Sequence, residues 1–281
     1  QGFGGDAANC AVAAARLGLD VALVTALGQD SFGDAIVAML EGEGVSTDAI
    51  ARDAEAPTGI YFVVHTREGH QFEYRRVGSA ASLFGAERLP VALLGQSRAL
   101  HVSGISQAIS PTADAAVDAA IEAANGAGAL VFYDTNFRAR LWSAERARRA
   151  MERVLPRCTV ALPGLEDARI LTGLHDPGQI VDAYLGYGVR VVALTMGGDG
   201  VLVATADDRA TIEPITSELV DATGAGDAFD GAFISHYLES CDAFAAANSA
   251  NAAAALSVRG FGAIAPLPRR DQVDSLLALI T

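Results

Sequence analysis

The sequence predicts an α/β fold in three layers, with helices covering both faces of a mainly parallel central sheet. From Val21 onward, short β-branched runs alternate with Ala- and Leu-rich amphipathic stretches, which is the pattern of successive strand and helix units. Hydrophobic residues make up 51% of the chain and charged residues only 19%, so a large core can form. At 281 residues, one large domain is expected.

The β-branched runs define the strands of the predicted sheet, and helical patterns fill most of the gaps between them. Core strands are expected near residues 21–27, 100–105, 130–136, 159–162 and 189–196, with further strands near 201–205 and 211–215.

The two ends of the chain depart from this alternation. Residues 228–256 have a nearly continuous helical pattern, and a Gly-rich loop at 259–263 precedes Pro266, Pro268 and a last helix. Residues 1–5 are typical of a loop that leads into a helix, without the strand that should precede it. We therefore expect the sequence to be truncated.

A β-hairpin is predicted outside the central sheet. Residues 60–65 and 71–77 carry polar side chains at alternate positions and flank a short polar turn. We interpret residues 57–80 as a lid inserted in a core formed by residues 1–56 and 81–281. The same hairpin could pair two subunits into a homodimer, and an ordinary surface excursion is the alternative.

The formal net charge of -14 argues against two classes of partner. Such a chain repels both the phosphates of nucleic acid and the anionic surface of a membrane, so we expect neither partner. A polyanion such as ATP must then be bound by backbone amides, a helix N-terminus and a metal ion.

The three cysteines, Cys10, Cys158 and Cys241, are far apart and lack the spacing of zinc ligands. Reduced thiols in a cytoplasmic protein are the expected state, without zinc or disulfides. No apolar run approaches the roughly 20 residues that span a bilayer, and no secretion signal is recognisable.

A glycine-rich run near the C-terminal third predicts an anion site. Residues 221–227, Asp-Ala-Thr-Gly-Ala-Gly-Asp, lead into a helix whose first backbone amides have no partner in the helix itself. The small residues Gly224, Ala225 and Gly226 allow phosphate oxygens to approach these amides. Asp227 can accept a proton from an alcohol in front of them, although a simple helix cap explains the same pattern.

A second glycine-rich loop begins the chain. Gly4 and Gly5 leave room for a polyol against the backbone, and the Asn9 amide can both donate to and accept from its hydroxyls. The helix that follows ends at Gly18, a residue suited to a left-handed cap. A close contact between helix and sheet, with Asn9 bonded to loop backbone, is the alternative.

These two runs together resemble the two signatures of the ribokinase-like (PfkB) carbohydrate kinases. Residues 221–227 match the second signature except at Ala222, and Gly4, Gly5 and Asn9, with residues 28–33, match the first. The resemblance implies a ribokinase-like fold with a small β lid, ATP and Mg²⁺ as cofactors, and Asp227 as the base.

Further site residues follow from this resemblance. Glu166 matches the carboxylate that holds the magnesium water shell, although Pro163 replaces the usual Asn, and a solvated Glu166 on the helix surface is the alternative. Asp221 matches a possible monovalent cation site for K⁺. The residues matched to the nucleotide site are Thr195, Gly197, Gly200, Thr223 and Asn251.

Within that family, the chain resembles most the 2-keto-3-deoxygluconate kinases. The resemblance places Tyr61, Tyr74, Arg76 and Arg138 around a sugar acid, whose carboxylate suits the two-pronged guanidinium group. Phe261 stands where that subgroup often has an acidic residue, so a neutral sugar such as fructose or ribose, or another ketose acid, stays open. Solvated or ion-paired arginines are the other interpretation.

Two other functional classes are compatible with an α/β chain. A nicotinamide dehydrogenase is disfavoured because no GxGxxG follows the strand predicted at residues 21–27. The P-loop motif of other nucleotide-binding proteins, GxxxxGK[ST], is also missing. A non-catalytic sugar sensor on a kinase scaffold is the second competitor. Retention of Asp227 and both glycines of the anion site favours the enzyme.

Overall fold

The computed structural model describes the backbone of residues 3–66 and 69–280, and the side chains of 3–62 and 73–280. Its central sheet has six strands in the order β12-β11-β10-β9-β8-β7. The strands are β1 (Val21–Ala22), β2 (Thr25–Gly28), β3 (Val45–Ser46), β4 (Ile50–Asp53), β5 (Ile60–Thr66), β6 (Gly69–Arg75), β7 (Ala99–Ser103), β8 (Leu130–Asp134), β9 (Val160–Ala161), β10 (Val191–Thr195), β11 (Val201–Ala204) and β12 (Arg209–Ile212).

Helices connect most of these strands. They are α1 (Asp6–Arg16), α2 (Ser31–Gly42), α3 (Val91–Leu94), α4 (Gly104–Ala108), α5 (Pro111–Gly126), α6 (Ala144–Val154), α7 (Leu165–Thr172), α8 (Pro177–Gly186), α9 (Ala225–Ser240), α10 (Ala243–Ser257) and α11 (Arg270–Ile280). None of the helices in the described ranges is both long enough and apolar enough to span a membrane.

The central sheet is mainly parallel. Strands β7 to β10 pair in parallel, and β10, β11 and β12 pair antiparallel. The parallel strands are joined through helices, as parallel connections require. The predicted α/β class with a mainly parallel sheet is confirmed.

The three layers can be followed along strand β8. Val131 and Tyr133 pack on one face with residues of α6, α7 and α8, such as Met151. Phe132, between them, packs on the other face with Phe229 and other residues of α9 and α10. Successive side chains of a strand point to opposite faces, so both sheet faces are buried under helices.

Helix α9 lies unusually close to helix α1. A Cβ atom at Gly231 would come within 2.6 Å of Ala13 Cβ and 2.8 Å of the backbone atoms Cys10 O and Ala14 N. Glycine is therefore required for this approach. The contact brings the first turn of α1 against the first turn of α9.

The predicted strand at residues 21–27 is corrected by the structure. It forms two short strands, β1 and β2, which pair with β3 and β4 in separate two-stranded sheets. The segment that joins the two partner strands, β3 and β4, turns at Thr47, whose carbonyl accepts a hydrogen bond from Ile50 N. The strand pairing is therefore interrupted there. A cavity of about 700 Å³, lined by residues such as Leu23 and Val102, separates these strands from β7.

Several other boundaries differ from the predictions, such as that of β12, which spans Arg209–Ile212 where residues 211–215 were predicted. Strand β7 ends at Ser103 because the hydroxyl of this residue accepts from Ile105 N and begins α4. The helical pattern of residues 228–256 forms two helices, because Cys241 adopts a left-handed conformation with φ of 57° and Asp242 caps α10. Gly18 has the positive φ expected of a helix cap, 96°.

The hairpin is formed by β5 and β6, which pair antiparallel with Tyr61 opposite Tyr74. Residues 67 and 68 of the predicted turn lie outside the described residues. The base of the hairpin is fixed by Thr58, which donates to Asp30 Oδ1 at 2.8 Å and accepts from Gly28 N at 3.0 Å. The hairpin therefore begins from a rigid contact with strand β2.

Candidate active site

A cavity of about 340 Å³ lies at the carboxyl ends of β8, β9 and β10, in front of the first turn of α9. This edge is where parallel α/β sheets usually bind ligands. Eleven predicted site residues line it: Asn9, Tyr61, Tyr74, Arg76, Arg138, Thr195, Thr223, Gly224, Ala225, Gly226 and Asp227.

The glycine-rich loop presents the start of α9 to this cavity. Gly224 has a φ of 81°, and a Cβ there would lie 3.0 Å from Ala263 Cβ, so glycine is needed on both counts. Helix α9 begins at Ala225 without a side-chain cap. Ala225 N donates to Ala222 O at 3.2 Å, whereas the next amides of the first turn and the helix dipole are available to an anion.

Asp221 fixes the shape of this loop. Its Oδ1 accepts from Thr223 N at 3.0 Å and from Thr223 Oγ1 at 2.7 Å. Its Oδ2 accepts from Gly262 N at 3.0 Å. Asp221 is buried, and it joins the glycine-rich loop to the loop that follows α10.

Asp227 lies in the first turn of α9 and accepts a 2.7 Å hydrogen bond from Asn9 Nδ2. Asn9 is held in turn by Gly5, whose backbone N donates to Asn9 Oδ1 at 3.2 Å. Burial raises the pKa of Asp227 to about 7, although the Asn9 bond acts in the opposite direction. A carboxylate with this pKa is suited to accept a proton near neutral pH.

Three further titratable groups near Asp227, two of them in the cavity lining, were not identified from the sequence. Asp230, one turn further along α9, lies 3.4 Å from His101 Nε2, and Asp134 ends strand β8. Burial, followed by neighbouring carboxylates, raises the pKa of Asp134 and Asp230 well above the ordinary range, and burial lowers the pKa of His101. The interior of the site thus disfavours negative charge.

The hairpin contributes an arginine between two tyrosines. The guanidinium carbon of Arg76 is 5.6 Å from the ring centre of Tyr61 and 5.5 Å from that of Tyr74. Such contacts restrict the guanidinium group while leaving its N–H edges for hydrogen bonds. A Cβ at Gly4 would come within 2.3 Å of the Tyr61 hydroxyl, so Gly4 leaves room for that ring.

The second predicted arginine has an acidic neighbour. Arg138 Nη1 donates to the Phe137 carbonyl at 2.8 Å and lies 3.6 Å from Asp167 Oδ2. Asp167, which the sequence analysis missed, also lines the cavity and accepts from Phe137 N at 2.9 Å. Burial raises its pKa, and the Arg138 charge opposes this.

The remaining predicted residues lie outside the cavity lining. Glu166 forms an exposed ion pair with Arg169 at 2.7 Å, and Asn251 Nδ2 donates to the Glu213 carbonyl at 2.8 Å. Gly200 shapes the turn between β10 and β11, since a Cβ would be 2.1 Å from Ile212 O.

Within the described residues, no three His, Cys, Asp or Glu side chains are grouped to hold a metal ion. A Mg²⁺ ion that keeps several waters needs only one or two carboxylates. Asp167 and Asp227 reach the cavity, whereas Glu166 would have to leave Arg169 to do so. The donors therefore fit a water-rich magnesium ion and do not fit an ion held entirely by protein.

A parallel sheet with a carboxylate in front of free backbone amides defines the class: an α/β phosphotransferase acting on an alcohol. Residues 1–270 match the family described as pfkB family carbohydrate kinase. The chain belongs to this family, and its ribokinase-like fold and kinase class are as predicted.

Individual relatives agree with this assignment. A 2-dehydro-3-deoxygluconokinase of Thermoproteus tenax is 35% identical over 94% of this chain and 82% of its own length. Probable fructokinase-4 of Arabidopsis thaliana is 31% identical over 98% and 87%. A solved E. coli structure described as a ribokinase II, in complex with ATP and Mg²⁺, has a TM-score of 0.91 at 26% identity, covering 98% of this chain and 88% of its own.

Proposed function

We propose that this protein transfers the γ-phosphoryl group of ATP to the terminal hydroxyl of 2-keto-3-deoxygluconate. The observation that carries the proposal is the 2.7 Å bond between Asn9 and Asp227, directly before the glycine-rich amides of residues 224–226. This arrangement provides a proton acceptor and an anion site side by side. Both are needed when an alcohol attacks a phosphorus atom.

Each group has a distinct task in this reaction. Asp227 Oδ takes the hydroxyl proton as the sugar oxygen forms its bond to the γ-phosphorus and the bond to the leaving ADP oxygen breaks. The amides at Gly224, Ala225 and Gly226 donate to the phosphoryl oxygens as their charge develops. Mg²⁺, when bound, neutralises phosphate charge, and Asp167 and Glu166 are the carboxylates proposed to hold its water shell.

The sugar acid is supported by the arginines of the cavity. Arg76 and Arg138 both line a site in which carboxylates predominate, and Arg76 is oriented by two tyrosine rings. A substrate carboxylate would receive charge-assisted hydrogen bonds from them. The 2-dehydro-3-deoxygluconokinase relative is consistent with this substrate class.

A neutral ketose is the second candidate substrate. Asp167 lies 3.6 Å from Arg138 and already balances part of its charge. Phe261 is largely exposed in the loop after α10, where an acidic residue often occurs in the sugar-acid subgroup. The fructokinase relative supports the same alternative.

The nucleotide site is proposed at Thr195, Gly197, Gly200, Thr223 and Asn251. Thr195 and Thr223 reach the cavity, while Gly200 and Asn251 hold the loops beside it. Potassium at Asp221 stays a hypothesis, because both oxygens of this carboxylate already accept hydrogen bonds. We also propose that the hairpin closes over the sugar and that it pairs two subunits into a homodimer. The enzyme is proposed to act in the cytoplasm.

The experiment is an ADP-release assay on ketodeoxygluconate, ketodeoxygalactonate, fructose, ribose and adenosine. We expect sugar-dependent release, and Asp227→Asn should reduce kcat at least about 100-fold, because a positioned base contributes about 10² to 10⁴. Undiminished release by Asp227→Asn contradicts the base assignment. Absence of release with every sugar would favour a sugar sensor.

Two variants of adjacent arginines distinguish the substrate classes. Arg76→Ala should raise KM for the sugar acid about 10-fold or more and leave fructose unaffected, because one charged hydrogen bond is lost. Arg75→Ala is the matched control, since Arg75 pairs with Glu73 on the exposed side of the hairpin. Preference for fructose, unchanged in Arg76→Ala and Arg138→Ala, rejects the sugar acid and retains the kinase.

A further inference from the structure

Asp6 is a carboxylate of the cavity that the proposed reaction does not use. It is the first residue of α1, three positions before Asn9, so the two side chains share one face of the helix. Both line the cavity that contains Asp227. Asp6 thus faces the place where the reacting hydroxyl would lie.

One oxygen of Asp6 is buried without a partner. Among the side chains that the structure describes, none donates a hydrogen bond to Asp6 Oδ2. Asp230 Oδ2 of α9 is likewise buried without a hydrogen-bond partner in the described part of the chain, although it lies 3.4 Å from His101 Nε2. A buried acceptor without a donor is costly, so a ligand that supplies the donor gains affinity.

The Asp6 carboxylate lines the cavity close enough to Asp227 and Tyr61 to affect the pKa of both. Burial is the main cause that raises the pKa of both Asp227 and Tyr61, and the Asp6 charge raises both further. Asp227 belongs to α9 and Tyr61 to the hairpin. The Asp6 charge therefore acts on groups from both sides of the cavity.

We propose that Asp6 accepts a hydrogen bond from the sugar hydroxyl adjacent to the one that is phosphorylated. The inference rests on the proposed function and adds a specificity determinant to it. A carboxylate oxygen accepts hydrogen bonds, so Asp6 selects a hydroxyl at this position over a methylene group or a carboxylate. Two neighbouring hydroxyls would thus meet Asp227 and Asp6.

The same contact orients the sugar acid. Like charges repel, so Asp6 disfavours a substrate carboxylate at the Asp227 end of the cavity. Arg76 and Arg138 favour the carboxylate at the end of the cavity where they lie. The terminal hydroxyl is then left beside Asp227. Asp6 would thus select a substrate with two adjacent hydroxyls and would also set the orientation in which it binds.

The test combines two enzymes with two substrates. Wild type and Asp6→Ala are compared on the preferred sugar and on its analogue with hydrogen in place of the hydroxyl next to the terminal carbon. We expect kcat/KM to fall about 10- to 100-fold for either single change, since a hydrogen bond to a charged group is lost. The two changes together should cost little more than one. Losses that multiply, or an unaffected Asp6→Ala enzyme, overturn the inference.

Binding without ATP separates this inference from the proposed function. The rise in Tm caused by each sugar reports binding to the folded protein whether or not turnover occurs. Non-additive Tm shifts without ADP release would retain Asp6 as a binding residue and reject the kinase. ADP release with additive shifts would reject the role of Asp6 alone, and absence of binding by any sugar rejects both.

A loss of helix stability is the competing explanation for Asp6. An acidic residue in the first turn stabilises a helix by about 0.3 to 1 kcal/mol through the helix dipole. Asp271→Ala, in the exposed first turn of α11, is the matched control for this effect. It should lower Tm as Asp6→Ala does and leave kcat/KM unchanged for both substrates.

Discussion

A single carboxylate, Asp227, combines two opposing physical effects. Burial raises its pKa to about 7, while the hydrogen bond from Asn9 favours the ionised form. The group therefore becomes ionised close to neutral pH, where it can accept a proton and still release it after turnover. The pH dependence of the reaction should report both effects.

Asn9→Ala tests the second effect directly. Removing the Nδ2 donor raises the pKa of Asp227 further, so the acidic limb of kcat/KM, expected near pH 7, should move about one unit to higher pH. The measurement is a pH profile of kcat/KM with the preferred sugar. Asn248→Ala is the control, since Asn248 is an exposed asparagine of α10 whose Nδ2 donates to the Phe244 carbonyl. A limb that stays in place or moves to lower pH contradicts the assignment.

At the scale of elements, the site depends on how closely two helices approach. Asn9 belongs to α1 and Asp227 to α9, and Gly231 allows the two backbones to meet. The catalytic hydrogen bond is thus set by a contact one turn away from it. Neither helix alone positions the base.

Gly231→Ala should separate these helices. The new methyl group would lie 2.6 Å from Ala13 Cβ, so the fold should lose about 1 to 3 kcal/mol of stability and kcat should fall with it. Unfolding in urea and steady-state kinetics measure the two effects. Gly186→Ala, at the end of α8 with no atom within 4 Å of the added methyl, should be neutral or stabilising. Equal behaviour of the two variants would exclude the packing argument.

At the scale of the whole molecule, the buried carboxylates of the site reduce the stability of the fold. Asp227 has a folded-state pKa of about 7 against an ordinary value of 3.8, so folding favours its protonated form. Stability from this group is present below pH 3.8 and is lost as the pH rises through 7. Asp134 and Asp230 add to the loss, because burial, and then the charge of neighbouring carboxylates, raises their pKa as well.

Asp227→Asn should therefore be more heat-stable than wild type at pH 8 and no more stable at pH 4. A gain of about 2 °C or more in Tm is expected at pH 8, on the scale of one kcal/mol for a chain of this size. Thermal unfolding at both pH values measures it. Asp207→Asn, in the exposed turn between β11 and β12, should show no such difference. A gain that is equal at pH 4 and pH 8 would exclude the linkage to ionisation.

Much of this architecture was predictable because its signals are local. The β-branched runs located the six central strands, and the glycines of residues 221–227 located the start of α9. Residues 21–27 form two strands because the segment that pairs with them turns at Thr47. Nothing in the sequence of residues 21–27 themselves indicates this turn. Cys241 could not be identified as a helix end, because a left-handed cysteine has no sequence signal.

The candidate site was predictable where a motif names its residues. Asp6, Asp167 and Asp230 were missed because each acidic residue is ordinary in sequence, and only packing turns it toward the cavity. For Asp230, the spacing of three residues from Asp227 was the available signal. The Glu166 prediction remains untested, and its neighbour Asp167 is the residue that reaches the cavity.

The double role of Asp221 has a consequence for motion during turnover. This one carboxylate accepts hydrogen bonds from Thr223, in the loop before α9, and from Gly262, in the loop after α10. A shift of either loop stretches hydrogen bonds to the other, so the two rims of the cleft should open and close as one unit. Product release and the return of the glycine-rich loop to its phosphate-binding conformation would then occur on the same timescale.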